Sequence, residues 1–263
     1  MARRDARQLA DGDIAVAAGP RRARRHPAVR AVSLLIAGAL VVAAGVAAAG
    51  WAITPPVGDL QARVARMLAE HGDRGVLALP PPDRASEALL ATEDHRFYSH
   101  HGIDPVGVLR VLLAAARGRD AGGATIDQQL AKLVYEPGQG GLPAEVEEAV
   151  LALKIDHEYS KQQILDSYLA VVYFGHGYYG LTQAAGGYFG RAPEDLTWGQ
   201  ASLLAGLVQA PSAFDPLAHY DAARERQRHV LDRLVAVGDL TAAQADAAYA
   251  TPLGLRAGTA PPS

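Results

Sequence analysis

Ser160-Lys-Gln-Gln-Ile-Leu-Asp-Ser-Tyr-Leu-Ala-Val-Val-Tyr-Phe-Gly175 is the stretch on which the fold turns. Its first four residues make a capping box, a Ser that serves the amide three places on and a Gln that reaches back. Ile164, Leu165 and Leu169 then fall at helical spacing. The same start recurs at Thr197-Trp-Gly-Gln200, ahead of the apolar run 201–208, and at Thr241-Ala-Ala-Gln244. Pro143 is placed as a first-turn proline, with Glu145, Glu147 and Glu148 in the positive end of its helix. Residues 221–237 read as an amphipathic helix stopped by Gly238. Only residues 75–79 read as a short strand. Glycine-rich joints fall at Gly122-Gly123, residues 138–141 and Gly186-Gly187. The expected fold is mostly α.

Working outward, the chain has 263 residues, 20% charged and 49% hydrophobic, which argues against wholesale disorder. The absence of cysteine removes disulfides, thiolate metal sites and cysteine nucleophiles. The formal charge of −3 hides a split. Residues 1–30 carry eight Arg against three Asp, a net of +5, and the remaining 17 basic and 25 acidic residues give −8. No charge occurs between Arg30 and Asp59, and residues 31–53 are a 23-residue apolar run. As a helix it rises roughly 34 Å, enough to cross hydrocarbon. Arg21, Arg22, Arg24, Arg25 and Arg30 precede it, so the positive-inside rule places the N-terminus in the cytoplasm and the rest of the chain outside. Trp51 sits where an interfacial anchor belongs. A buried helix, or a signal peptide cut after Ala47-Ala48-Ala49, is the alternative; the length favours an uncleaved anchor. The expected organisation is a basic cytoplasmic tail (1–30), an anchor (31–53), a linker and domain entry (54–84), one outer domain (85–257) and a frayed tail (258–263).

Three segments carry candidate chemistry. Glu93-Asp94-His95-Arg96-Phe97-Tyr98-Ser99-His100-His101-Gly102 packs acids, imidazoles and aromatics at the end of a helical stretch. An Asp/Glu pair alone is most often solvated surface. His100 and His101 are adjacent and point apart, and no second His lies at ligand spacing with a carboxylate, so metal ligation is not expected there. Gly122-Gly-Ala-Thr-Ile-Asp-Gln-Gln-Leu-Ala-Lys132 reads as two glycines opening a helix whose amides suit an anion, a pattern also common without function. Residues 145–156 read, blandly, as acids stabilising a helix start.

Together the segments resemble the peptidoglycan glycosyltransferase family, the transglycosylase module of class A penicillin-binding proteins and of monofunctional cell-wall glycosyltransferases. Glu93-Asp94-x-x-Phe97-x-x-His100-x-Gly102 is similar to the family's E-D-x-x-F-x-x-H-x-G. The Gly122–Lys132 segment resembles G-[GA]-S-T-I-T-Q-Q-L-x-K, Glu148 falls on the acid of R-K-x-x-E, and Ser160–Gly175 resembles the fourth motif. Leu203-Leu-Ala-Gly-Leu-Val-Gln-Ala-Pro-Ser212 resembles the fifth, and residues 226–238 the closing helix and turn. The resemblance covers roughly residues 85–250. No serine begins S-x-x-K and there is no K-T-G, so the match is to the single-module form.

The resemblance implies a lysozyme-like, two-lobed domain that polymerises lipid II into glycan strands and releases polyprenyl pyrophosphate. It implies Glu93 as general base and Glu148 as a second carboxylate that holds a metal or orients the donor. Lys132 and Arg110 would meet the pyrophosphate. Thr125, Gln128 and Gln129 would supply hydrogen bonds, and Asp94, Phe97 and His100 complete the substrate-binding set. Mg2+ or another divalent cation is the cofactor it allows, and no organic cofactor or nucleic acid is expected. Partners would be lipid II, the growing strand, the membrane and other cell-wall synthesis proteins. The nearly uncharged stretch 106–116 reads equally as a segment dipping into the bilayer or as a buried helix. Several positions depart from the family. Its R-K pair is Ala144-Glu145, the basic residue often seen four positions earlier is Gly140, and its second-motif Ser and Thr are Ala124 and Asp127. Ala170 stands for Asn and Gln200 for Glu. These changes, with the −8 body, set repulsion where a pyrophosphate needs attraction. Two other readings therefore stand beside the polymerase: a weakly active or inactive relative that binds precursor and organises other enzymes, and a lysozyme-like glycan-cleaving enzyme.

Overall fold

The computed structural model describes residues 27–72, 83–117, 123–136 and 143–256. The strand expected at 75–79, the joint at 138–141, Gly122 and both termini lie outside the described residues. Two compact units divide the chain at residues 46 and 47.

Among the described residues there are eleven α-helices and no strand. The first, α1 (Pro27–Ile53), contains a 24-residue span, Arg30–Ile53, of mean hydropathy 2.4 with none of its most apolar window buried. It is long and apolar enough to cross a membrane.

Two packing groups make up the body. One joins α3 (Arg84–Glu93), α9 (Trp198–Leu207), α10 (Tyr220–Val237) and α11 (Ala242–Ala250). The other joins α2 (Leu60–Glu70), α5 (Ile126–Tyr135), α6 (Ala144–Glu158), α7 (Lys161–Val171) and α8 (Leu181–Phe189). The starts of these helices are written locally. Thr125, Ser160, Thr197 and Thr241 each close a capping box with the Gln three residues on. The Thr125 box adds to the three anticipated. Gly238, at φ +96°, ends α10 in the left-handed conformation that only glycine adopts freely. Pro143 departs from its expected place by one residue. It is the N-cap of α6, because its ψ of 140° is extended rather than helical.

Gly199 to Leu207 is buried at every position of α9, and the α3–α10 group closes around it. Apolar burial here, worth about 25 cal/mol per Å2, is the main cohesive term. Gly206 permits a close crossing: a Cβ there would meet Arg226 Cγ at 3.0 Å. Gly102, at φ +73°, lets the loop after α3 lie against α6, since a Cβ would strike the Ala152 carbonyl oxygen at 2.7 Å.

The remaining helix, α4 (Pro105–Ala115), settles the open question about stretch 106–116 against a buried helix. Val106, Val108, Leu109 and Leu113 are 44–56% exposed.

Candidate active site

Glu93 is the last residue of α3 and lies at the meeting of the two helix groups. It lines a cavity of about 510 Å3 with Arg110 of α4, Ala124 before α5, Gln129 of α5, Gln209 after α9, and three residues of α10. Those three are Arg226, His229 and Arg233. Spaced i, i+3 and i+7, they share one face of the helix, while Ala223, Val230, Leu231 and Leu234 bury another.

The Glu93 carboxylate is held from two sides. Gln129 Nε2 donates to Oε2 at 3.3 Å, and Arg226 Nη2 lies 3.6 Å from Oε1. The hydroxyl of Tyr168, a buried residue of α7, donates to Gln129 Oε1. That bond orients the amide with its NH2 toward Glu93. Burial pushes the Glu93 carboxyl above the ordinary 4.5; Gln129 and Arg226 pull it back only in part. A carboxylate so raised is a stronger base than a solvated one.

The walls are cationic. Three guanidiniums and one carboxylate line the cavity, together with His95 and His229. Burial and the neighbouring arginines lower both imidazoles below the ordinary 6.5, His95 through Arg233 and Arg110, His229 through Arg226 and Arg233. Arg233 Nε also donates to the Ala91 carbonyl at 3.2 Å, tying α10 to the end of α3. Three guanidiniums converge on this cavity although the body's net charge is −8, and Ala144-Glu145, on which the expected repulsion mainly rests, is not part of its lining. Arg226, His229 and Arg233 were missed as site residues although their spacing was readable.

The sequence-derived candidates separate by environment. Glu93, Arg110 and Gln129 line the cavity. Glu148 and Lys132 do not; burial raises the Glu148 carboxyl, the Lys132 charge lowers it, and Glu145 raises it further. Phe97 is core, 1% exposed. Asp94, His100, Thr125 and Gln128 are engaged within the fold. Asp94 Oδ2 accepts from the Ile126 amide at 3.1 Å and meets His100 Nε2 at 2.9 Å. Thr125 Oγ1 donates to the Gly102 carbonyl at 2.6 Å, and Gln128 completes the cap of α5. These four hold the segments that carry Glu93 and Gln129.

His100 meets one carboxylate, that of Asp94. Among the described residues, Asp94, His100 and Asp127 are the one group whose ligand atoms lie within 4.8 Å of one another. The trio does not fit Mg2+. That ion prefers octahedral oxygen donors and keeps its waters, whereas this site is buried and its acids are taken. Lys161 Nζ lies 3.1 Å from Asp127 and 2.6 Å from Asp156, and Asp94 serves Ile126 and His100.

Residues 67–235 match the family described as Transglycosylase. Penicillin-binding protein 1A of Vibrio cholerae is 37% identical over 193 residues, 72% of this chain and 23% of that protein. Penicillin-binding protein 1F of Bacillus subtilis is 38% identical over 176 residues, 66% of this chain and 25% of that protein. A Cupriavidus necator protein named as a transglycosylase is 36% identical over 176 residues, 66% of this chain and 76% of that protein. The chain thus spans about a quarter of the penicillin-binding proteins it matches.

Proposed function

Because the chain belongs to the transglycosylase family, we propose that it is a membrane-anchored peptidoglycan glycosyltransferase that extends glycan strands from lipid II. The observation that carries this reading is Glu93, a base raised by burial at the edge of a cavity walled by Arg110, Arg226 and Arg233. Glycosyl transfer from a pyrophosphate needs both parts. The acceptor's 4-hydroxyl oxygen forms a bond to the donor's anomeric carbon while the bond from that carbon to the pyrophosphate oxygen breaks. The hydroxyl proton passes to the Glu93 carboxylate, and the electron pair leaves on the pyrophosphate. A positioned base contributes about 10²–10⁴-fold. Fixed cations beside the leaving group lower the barrier without reorganising.

Glu148 of α6 and Lys132 of α5, close enough for the lysine's charge to lower the carboxyl, are assigned to orienting the donor.

The span Arg30–Ile53 would hold the enzyme in the membrane, with the Arg-rich tail inside and the domain outside. Two polyprenyl-linked substrates in the same leaflet then meet the enzyme at high effective concentration. The exposed Val106, Val108, Leu109 and Leu113 of α4 would add an apolar contact with that leaflet.

The test is polymerisation of purified lipid II by the full chain in vesicles, with strand length and released polyprenyl pyrophosphate both measured. Binding of lipid II without turnover would instead support the inactive relative, which the Ala144-Glu145 pair beside Glu148 favours. Soluble fragments released from mature peptidoglycan would establish cleavage.

A further inference from the structure

A second cavity, of about 360 Å3, is lined by Trp51, His101, Leu153, Asp156 and His157. None of these residues lines the Glu93 cavity. Trp51 lies two residues before the end of α1 and is 44% exposed. Its indole meets the His157 ring edge-on, with centroids 6.0 Å apart. Lys154 Nζ stands 5.5 Å from the indole centroid and donates to the Thr54 and Pro55 carbonyls at 2.8 and 3.1 Å. This ties residues 51–55 to α6, so the cavity is a built feature.

Its charges are nearly balanced. Asp156, the carboxylate in the lining, is met by Lys161 at 2.6 Å and by His101 Nδ1 at 3.2 Å. Lys154 is faced by Glu158. What the cavity presents outward is an indole and a leucine beside two imidazoles, one of which, His101, is 95% exposed at its side chain. With Nδ1 on Asp156, Nε2 of His101 is left pointing outward, and it donates to a second anion when the ring carries both protons. An apolar wall with imidazole donors, placed where an apolar helix ends, matches the boundary between acyl chains and phosphates. The volume falls in the range of small-molecule clefts, about 300–1,000 Å3.

We propose that this cavity binds the phosphate headgroup of an anionic phospholipid, with His101 and His157 on the phosphate and Trp51 and Leu153 against the glycerol and first methylenes. The proposal rests on the reading of α1 as a membrane anchor. Nothing in it involves the sugar-transfer chemistry. The site would fix the depth of the domain at the surface by gripping individual lipids.

The experiment is quenching of tryptophan fluorescence in the full chain reconstituted into phosphatidylcholine vesicles. Brominated phosphatidylglycerol and brominated phosphatidylcholine are compared at equal mole fraction. Half-maximal quenching is expected at about tenfold less brominated phosphatidylglycerol, the size of one hydrogen bond to a charged group. His101→Gln is expected to remove most of that preference, and it cannot unfold the domain through so exposed a side chain. His101→Gln with His157→Gln should remove it entirely. Equal quenching by the two lipids, or a preference that survives the double substitution, overturns the proposal. A preference abolished by inorganic phosphate, and not by sodium chloride of equal ionic strength, overturns the lipid in favour of a free-phosphate site. Absence of quenching by either lipid refutes the anchor itself. That outcome is separable, because lipid II turnover in detergent would be unaffected.

Discussion

Replacing Arg226 by Gln removes a guanidinium whose Nη2 lies 3.6 Å from Glu93 Oε1, with the two side chains 14% and 16% exposed. At that distance the pair attracts by roughly 4–5 kcal/mol at an effective dielectric of 20 and by about 1 kcal/mol in bulk water. The low exposure places the site nearer the first figure, before the cost of desolvating both ions is subtracted. Two consequences separate in the kinetics. The leaving group loses one of three guanidiniums, so kcat should fall about 10²–10³-fold, the usual effect of deleting one preorganised electrostatic partner. Independently, Arg226 is one of the groups that lower the Glu93 carboxyl. Without it the carboxyl rises further, and the acid limb of the kcat–pH profile should move to higher pH. The sign follows from the role: a general base works only when deprotonated, so a higher value means activity lost earlier as pH falls. Raising the pH should therefore recover the limb but not the plateau. Arg226→Lys, which keeps the charge without the planar fork, should restore much of the limb's position. The assay is initial rate against pH with purified lipid II, with thermal melts as a check on folding. An acid limb that stays in place or moves down would refute the pairing of Arg226 with the base.

Other outcomes follow from the same contacts. Tyr168→Phe removes the hydroxyl that donates to the half-buried Gln129 carbonyl, so it should cost about 1 kcal/mol of stability; it should also lower kcat more than it raises KM, read by melting and by steady-state kinetics. Lys161→Met leaves Asp127, 0% exposed, and Asp156 without their cation. It should destabilise by about 3–5 kcal/mol. Asp127 is already raised by burial, so losing Lys161 raises it further. The penalty should be full above that value and shrink as pH falls through it, seen in melts against pH. Gly206→Ala should displace Arg226, whose Cγ would sit 3.0 Å from the new Cβ, lowering kcat while the melting temperature changes little.

Much of this was legible in particular residues. Ser160, Thr197 and Thr241 announced their helices, because a capping box is local chemistry that needs no tertiary context. Thr125-Ile-Asp-Gln128 is the same signal, but those residues were read as substrate ligands, and the box takes up much of their hydrogen-bonding capacity. Asp94 and His100 were singled out for the right segment, yet they join that segment to the start of α5. The cationic wall was half-legible. Arg226, His229 and Arg233 repeat on one helical face, but nothing local says that this face meets Glu93. That meeting depends on α10 crossing α9 over Gly206, a contact between residues 20 apart. A total of −8 carries no information about where three arginines point.

The central claim is that Glu93 takes the proton from the attacking hydroxyl in a cavity that holds the leaving pyrophosphate. Single-turnover extension of a preformed glycan donor by lipid II, comparing the native chain with Glu93→Gln, tests it most directly. Gln keeps the shape and still accepts from Gln129, so the fold and lipid II affinity should persist. The rate should fall by about 10²–10⁴-fold at every pH, with no acid limb left. Equal rates for the two proteins, or a Glu93→Gln enzyme that keeps the native pH profile, would contradict the account.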